Sequence, residues 1–213
     1  MTADGKYLVA VTMRITGAQN YREPRDSISH DLLTLVQAWE MLPFLIPNQL
    51  SEPLEYVSGI APDLILFSGG DDLNESSKRD QNEFRLLQMA IDQGIPVFGI
   101  CRGLQLLNSH FGGKTVKAEG HVASHHQVYI NREFELFFGK KAIVNSFHNH
   151  VVDPASLAEE MRIVAKDDYG RIEALVHKTL PLMAVMWHPE RSCPGPELKP
   201  VVEKLINEKV FWR

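Results

Sequence analysis

The feature that most constrains this chain is the alternation, through its first half, of short apolar runs with longer amphipathic stretches. Tyr7 to Thr12 (YLVAVT), Pro43 to Pro47 (PFLIP), Asp63 to Phe67 (DLILF) and Pro96 to Ile100 (PVFGI) are apolar and too short for core helices, so they read as buried strands. The stretches between them have helical spacing. From Ser29 or His30 to Met41, the residues Leu32, Leu33, Val36 and Trp39 or Glu40 fall near one face. From Asp80 to Gln93, Phe84, Leu87 and Ile91 do the same, with Gly94 at the position of a C-cap. Leu104 to Phe111 resumes the helical spacing and stops at Gly112-Gly113. Strands that alternate with helices in this way predict an α/β fold with a mostly parallel central sheet flanked by helices.

The remaining segments are read the same way. Asn20 to Asp26 (NYREPRD) is polar, carries a proline and reads as a loop. After Gly113 the rhythm changes. Thr115 to Val128 is rich in histidine. Lys141 to Asn145, Met161 to Ala165, Ile172 to His177 and Met183 to Trp187 read as strands, and Glu197 to Val210 as a last helix. With 213 residues and no repeat, low-complexity tract or linker, residues 1–213 are expected to form a single domain.

Charge narrows the partners. The chain has 22 Lys and Arg against 27 Asp and Glu, a net charge of −5, and a nucleic-acid partner would need a basic surface. One small anionic ligand held by a few arginines stays compatible with that balance. Met1 to Lys6 lacks the apolar segment of a secretory signal, and no apolar run reaches the roughly 20 residues that span a bilayer. A cytoplasmic location without a membrane partner is therefore expected. Its reducing conditions suit a free thiol. A homodimer is compatible with the sequence.

Cys101 lies where a strand runs directly into a helix, inside Gly99-Ile100-Cys101-Arg102-Gly103. A sharp strand-to-helix turn lifts its central residue above the sheet, and small neighbours are needed because the chain passes close to itself there. The same turn puts the sulfur at a helix N-terminus, where the dipole favours thiolate. The alternative is a small buried hydrophobe at a strand end. A cysteine nucleophile needs a base, and His188 ends the run Met183 to Trp187, again at a strand's carboxyl end. Glu190 follows two residues on, past Pro189, where it can hold the imidazole in one tautomer. The backbone N–H of Arg102 and one from Ser68-Gly69-Gly70 are candidate oxyanion donors, although a lone Gly-Gly pair also reads as a plain turn. Cys193, in a proline-glycine turn, carries no assigned chemistry.

The strings FSGGDD, FGICRGLQLLN and MWHPE resemble those of the class I glutamine amidotransferase superfamily, and within it the γ-glutamyl hydrolase (peptidase C26-like) branch. The resemblance implies a three-layer, flavodoxin-like fold and a Cys-His-Glu triad of Cys101, His188 and Glu190. It also implies a γ-glutamyl thioester on Cys101, an oxyanion hole from Gly70 and Arg102, and no cofactor. It further implies that Gly69, Gln105 and Asn145-Ser146-Phe147-His148 bind the glutamyl part.

A second set of strings, around Thr12 to Arg14, Tyr21 to Asp26, Gly120 to His126, VNSFHN and MWHPER, is similar to γ-glutamyl-CDP-amidate hydrolases of capsule phosphoramidate synthesis. That similarity implies leaving-group contacts from Arg14, Tyr21, Arg25 and His121, with a cytidine nucleotide as partner. Arginine forks suit phosphates and a tyrosine can stack on a base. A loop of arginine and glutamate can equally be solvated surface. His121, His125, His126 and His148 are numerous enough to suggest a metal, but no carboxylate or thiol clusters with them in the sequence, so no metal is expected.

Three other readings stay open at this point: a γ-glutamyl-γ-aminobutyrate-type hydrolase, a glutaminase subunit feeding ammonia to a synthetase, and a non-catalytic binding module on the same fold.

Overall fold

The computed structural model describes residues 5–117, 122–192 and 195–212. In chain order, β1 (Leu8–Thr12), a hairpin of β2 (Arg14–Gly17) and β3 (Pro24–Ser27), α1 (His30–Ala38), β4 (Leu42–Ile46), α2 (Pro53–Ile60), β5 (Leu64–Phe67), α3 (Ser77–Gln93), β6 (Val97–Ile100) and α4 (Arg102–His110) make the first half. The second half contains β7 (Val116–Lys117), β8 (Val122–Ile130), α5 (Glu135–Phe138), β9 (Lys141–Phe147), β10 (His150–Val151), β11 (Met161–Asp167), β12 (Ile172–His177), β13 (Leu182–Val185) and α6 (Lys199–Glu208).

Nine strands form one mixed sheet in the order β4-β1-β5-β6-β13-β12-β11-β8-β9. The five strands from β4 to β13 are mutually parallel, as the strand–helix alternation predicts. The last four pair antiparallel and form a wing beside them. Every residue of β5, β6 and β13 is buried, because helices cover both faces of the parallel part. Parallel strands end on the same edge. Thr12, Phe67, Ile100 and Val185 therefore bring the segments that follow them to one rim of the sheet.

Gly94 caps α3 in the left-handed region at φ 63°, as its place after the apolar stripe predicts. Three details depart from the sequence expectations. Asn20 to Asp26 is not wholly loop: Pro24–Ser27 pairs with Arg14–Gly17 in register Arg14↔Ser27. Long-range hydrogen bonds hold this polar hairpin where propensity alone would not. Asp26 accepts from the Asn48 backbone and side chain, Asn48 also donates to the Met13 carbonyl, and Asn82 donates to the Asn48 carbonyl. Pro53–Ile60 forms a helix that the apolar spacing does not reveal, with Pro53 in the first turn, where a missing N–H costs nothing. The strand expected over Met183 to Trp187 ends at Val185. Met186 instead donates to the Glu173 carbonyl and the chain bends before His188.

Among the described residues no helix is long and apolar enough to cross a membrane.

Candidate active site

The turn after β6 has the strain that the Gly-x-Cys-x-Gly spacing predicts. Cys101 has φ 52° and ψ −98°, a left-handed backbone that a side chain rarely adopts. Its N–H donates to the Val185 carbonyl at 2.8 Å, so the turn is clamped to β13. Both flanking glycines are required by close approach. A Cβ on Gly99 would stand 2.7 Å from the Gly103 carbonyl carbon, and one on Gly103 would stand 2.7 Å from the Phe67 carbonyl oxygen. The helix α4 thus starts almost in contact with the sheet and carries Cys101 at its head.

His188 arrives from the neighbouring strand. Its Nδ1 lies 2.7 Å from Glu190 Oε1, and both side chains are buried. A Cβ on Gly69 would lie 2.8 Å from His188 Cε1 and 3.7 Å from Cys101 Cβ, so the imidazole and the Cys101 side chain both border the small space that the glycine leaves open. Cys101 and His188 also line one cavity of about 360 Å³, together with Arg14, Gly70, Phe147, His148 and Arg191. Asp71, Asp72 and Glu75 form an acidic side of the same cavity. Phe147 meets the His188 ring edge-on at 5.7 Å, and the Arg191 guanidinium lies 4.0 Å from the Phe147 ring centroid.

The thiol is not a resting thiolate, contrary to the expectation from the helix dipole. Burial, then the Glu190 and Asp72 carboxylates, push Cys101 up from 9.0 to about 12, and the Arg102 backbone N–H opposes them only in part. Desolvation and two nearby negative charges outweigh one N-terminal turn.

The sequence-predicted residues divide by what they touch. Arg14, Gly70, Cys101, Phe147, His148 and His188 meet at the cavity, with Gly69 and Glu190 on an adjoining recess beside His188. Asn145, Ser146, Gln105, Tyr21 and Arg25 do not line that cavity. Asn145 is buried with its amide on the His188 backbone. Ser146 is fully buried and 3.1 Å from His148 Nε2. Gln105 is buried and reaches back to the His150 carbonyl. Arg25 is ion-paired to Glu23 and bonded to Tyr21 at the hairpin, away from the cavity, and Tyr21 is exposed. His121 and Cys193 lie outside the described residues.

Arg191, Asp71, Asp72 and Glu75 are cavity residues that the sequence reading does not single out. Adjacency to MWHPE and FSGGDD is the signal that could have found them. The tertiary structure does bring a carboxylate to the histidines. Glu173 Oε1 stands 3.4 Å from His126 Nε2 and 3.8 Å from His148 Nε2, buried on β12. Burial pushes Glu173 up; it disfavours charge on His126 too, but the Glu173 carboxylate outweighs it and raises that histidine. Among the described residues, no group of three or more histidine, cysteine or acidic side chains is arranged to hold a metal ion.

Comparison with known proteins gives the family and the fold. Residues 22–207 match the family described as glutamine amidotransferase class-I. The glutamine-hydrolysing GMP synthase of Thermococcus kodakarensis has a subunit that is 32% identical over 146 residues, 68% of this chain and 74% of that protein. The γ-glutamyl-CDP-amidate hydrolase of Campylobacter jejuni is 31% identical over 195 residues, 86% of this chain and 90% of that protein. The glutaminase domain of Trypanosoma brucei CTPS has the same fold, with a TM-score of 0.69 at 15% identity over 95% of this chain and 94% of that one.

Proposed function

The chain belongs to the class-I glutamine amidotransferase family, and we propose that it hydrolyses a γ-glutamyl amide through a thioester on Cys101. The observation that carries this reading is the meeting of the strained Cys101 with the Glu190-bound His188 at one cavity.

His188 takes the thiol proton as sulfur attacks the γ-carbonyl carbon, since a thiol near pKa 12 needs a base at neutral pH. The carbonyl oxygen becomes an oxyanion facing the Gly70 and Arg102 N–H groups. Glu190 stabilises the imidazolium. The C–N bond breaks, the departing nitrogen takes the proton from His188, and the acyl group stays on sulfur. Water then gives a proton to His188, its oxygen attacks the thioester, and glutamate leaves as the sulfur regains its proton. The acidic side of the cavity suits the α-ammonium of the glutamyl part.

For the leaving group we favour a nucleoside diphosphate amidate. Among the described residues, neither Arg14 nor Arg191 is paired with a carboxylate, and both line the cavity beside Cys101. Two guanidinium forks without a carboxylate partner suit a phosphoryl group. The similarity to the Campylobacter jejuni γ-glutamyl-CDP-amidate hydrolase extends over more of the chain than that to the GMP synthase. The second reading is a glutaminase working with a synthetase, favoured by the 32% identity to the Thermococcus kodakarensis protein.

The test is glutamate release from γ-glutamyl-CDP-amidate, γ-glutamyl-γ-aminobutyrate and glutamine, with Cys101→Ala alongside. The favoured reading expects the amidate to be cleaved fastest by the protein alone and the variant to be inactive. Preference for glutamine, rising when a synthetase is added, selects the second reading. Release by the Cys101→Ala protein at the normal rate removes both.

A further inference from the structure

We infer that Arg79, a residue outside the cavity, is a positioning residue that aims the Gly70 N–H at the oxyanion. The inference rests on Cys101 being the nucleophile. Arg79 lies on α3 with its side chain fully buried. Its Nη2 donates to the Ser68 carbonyl at 2.8 Å, the Gly69 carbonyl at 3.1 Å and Ser68 Oγ at 3.1 Å. In a planar trans peptide the C=O and N–H point in opposite directions. Holding the Ser68 and Gly69 carbonyls inward therefore turns the N–H groups of Gly69 and Gly70 outward. Neither N–H has an acceptor among the described residues, and Gly70 lines the cavity with Cys101.

The same guanidinium explains why residue 70 is glycine. Gly70 has φ 131°, and a Cβ there would lie 2.7 Å from Arg79 Nη1. Nη1 is buried and has no acceptor among the described residues, which leaves the charge of Arg79 immediately behind the donor peptide.

The second donor is tied to the first through one carboxylate. Arg79 Nε donates to Glu83 Oε1 at 2.9 Å, while Glu83 Oε2 is ion-paired with Arg102 Nη1, and Arg102 also pairs with Asp80. Arg102 supplies the other backbone N–H, next to Cys101. One turn of α3, carrying Arg79, Asp80 and Glu83, thus sets the spacing between the two halves of the oxyanion hole. Burial lowers Arg79 only to about 10, so the guanidinium keeps its charge at neutral pH.

The experiment compares Arg79→Met and Arg79→Lys with the full-length protein in glutamate release, thermal unfolding and alkylation of Cys101 by iodoacetamide. Alkylation displaces iodide at a saturated carbon and forms no oxyanion, so it reads the nucleophile without the hole. Removal of one oxyanion donor costs about 100-fold or more in kcat, and Arg79→Met is expected to approach that loss with KM changed less than about threefold. Arg79→Lys, which keeps the charge and reaches fewer acceptors, is expected to recover part of the loss. Alkylation should stay near the wild-type rate in Arg79→Lys, which keeps the charge, and should fall far less than kcat in Arg79→Met, because the Arg79 charge also acts on Cys101. Unchanged kcat in either folded variant overturns the inference, as does alkylation falling in step with kcat. If Arg79→Met does not fold, Arg79→Lys decides alone. Cys101→Ala run in parallel separates the two claims: glutamate release by that variant removes the nucleophile, whereas an inactive Cys101→Ala beside fully active Arg79 variants removes only the role of Arg79.

Discussion

Asn145 and His188 are joined in both directions: the His188 N–H donates to Asn145 Oδ1 at 2.8 Å, and Asn145 Nδ2 donates to the His188 carbonyl at 2.8 Å. The side-chain amide replaces a strand partner for a residue that has left the sheet, and so holds the imidazole against β9. This places Asn145 among the supports of His188, although its sequence neighbours Phe147 and His148 line the cavity.

Asn145→Ala leaves a buried donor and a buried acceptor without partners, each worth about 1–3 kcal/mol. The expected loss is about 2–4 kcal/mol in stability, with kcat lowered and KM little changed. Urea unfolding and steady-state kinetics check it. A large rise in KM with normal stability would return Asn145 to the substrate site.

Cys101 is held as a neutral thiol, because burial and the Glu190 and Asp72 carboxylates raise it to about 12. A raised pKa means that thiolate is scarce below it and grows with each step in pH. Iodoacetamide alkylation of the free protein should therefore keep rising past pH 9 without reaching a plateau. A plateau below pH 8, read by mass spectrometry, would show a resting thiolate.

Glu190→Gln has opposite effects on the two functions of that carboxylate. It removes a negative charge that raises Cys101, so alkylation at pH 8 should speed up. In the proposed mechanism it also removes the charge that stabilises the imidazolium, so kcat should fall by about 10- to 100-fold, less than in Cys101→Ala. Both rates moving down together would contradict the assignment of Glu190 to His188.

The proposed function puts Arg14 and Arg191 at the leaving group. Replacing either with alanine should lower the ratio of kcat/KM for γ-glutamyl-CDP-amidate over glutamine by about tenfold or more, since a charged hydrogen bond is worth about 1.5–3 kcal/mol. Competition kinetics with the two substrates reads this ratio directly. An unchanged ratio in both variants would detach the phosphoryl group from this wall of the cavity.

The sequence by itself determined the parts that depend on neighbours along the chain. The strand–helix alternation set the α/β class, and Gly99, Cys101 and Gly103 set the strained turn, because close approach there is written into adjacent residues. The two-residue step from His188 to Glu190 set their hydrogen bond. Tertiary structure alone decided which polar side chains face the cavity and which hold others in place. Asn145 and Gln105 turn inward to partners 43 and 45 residues away, while Arg191 lies over Phe147 at the cavity. It also decided the charge of the thiol, because burial and the carboxylates of Asp72 and Glu190 outweigh a helix terminus that the local sequence makes visible.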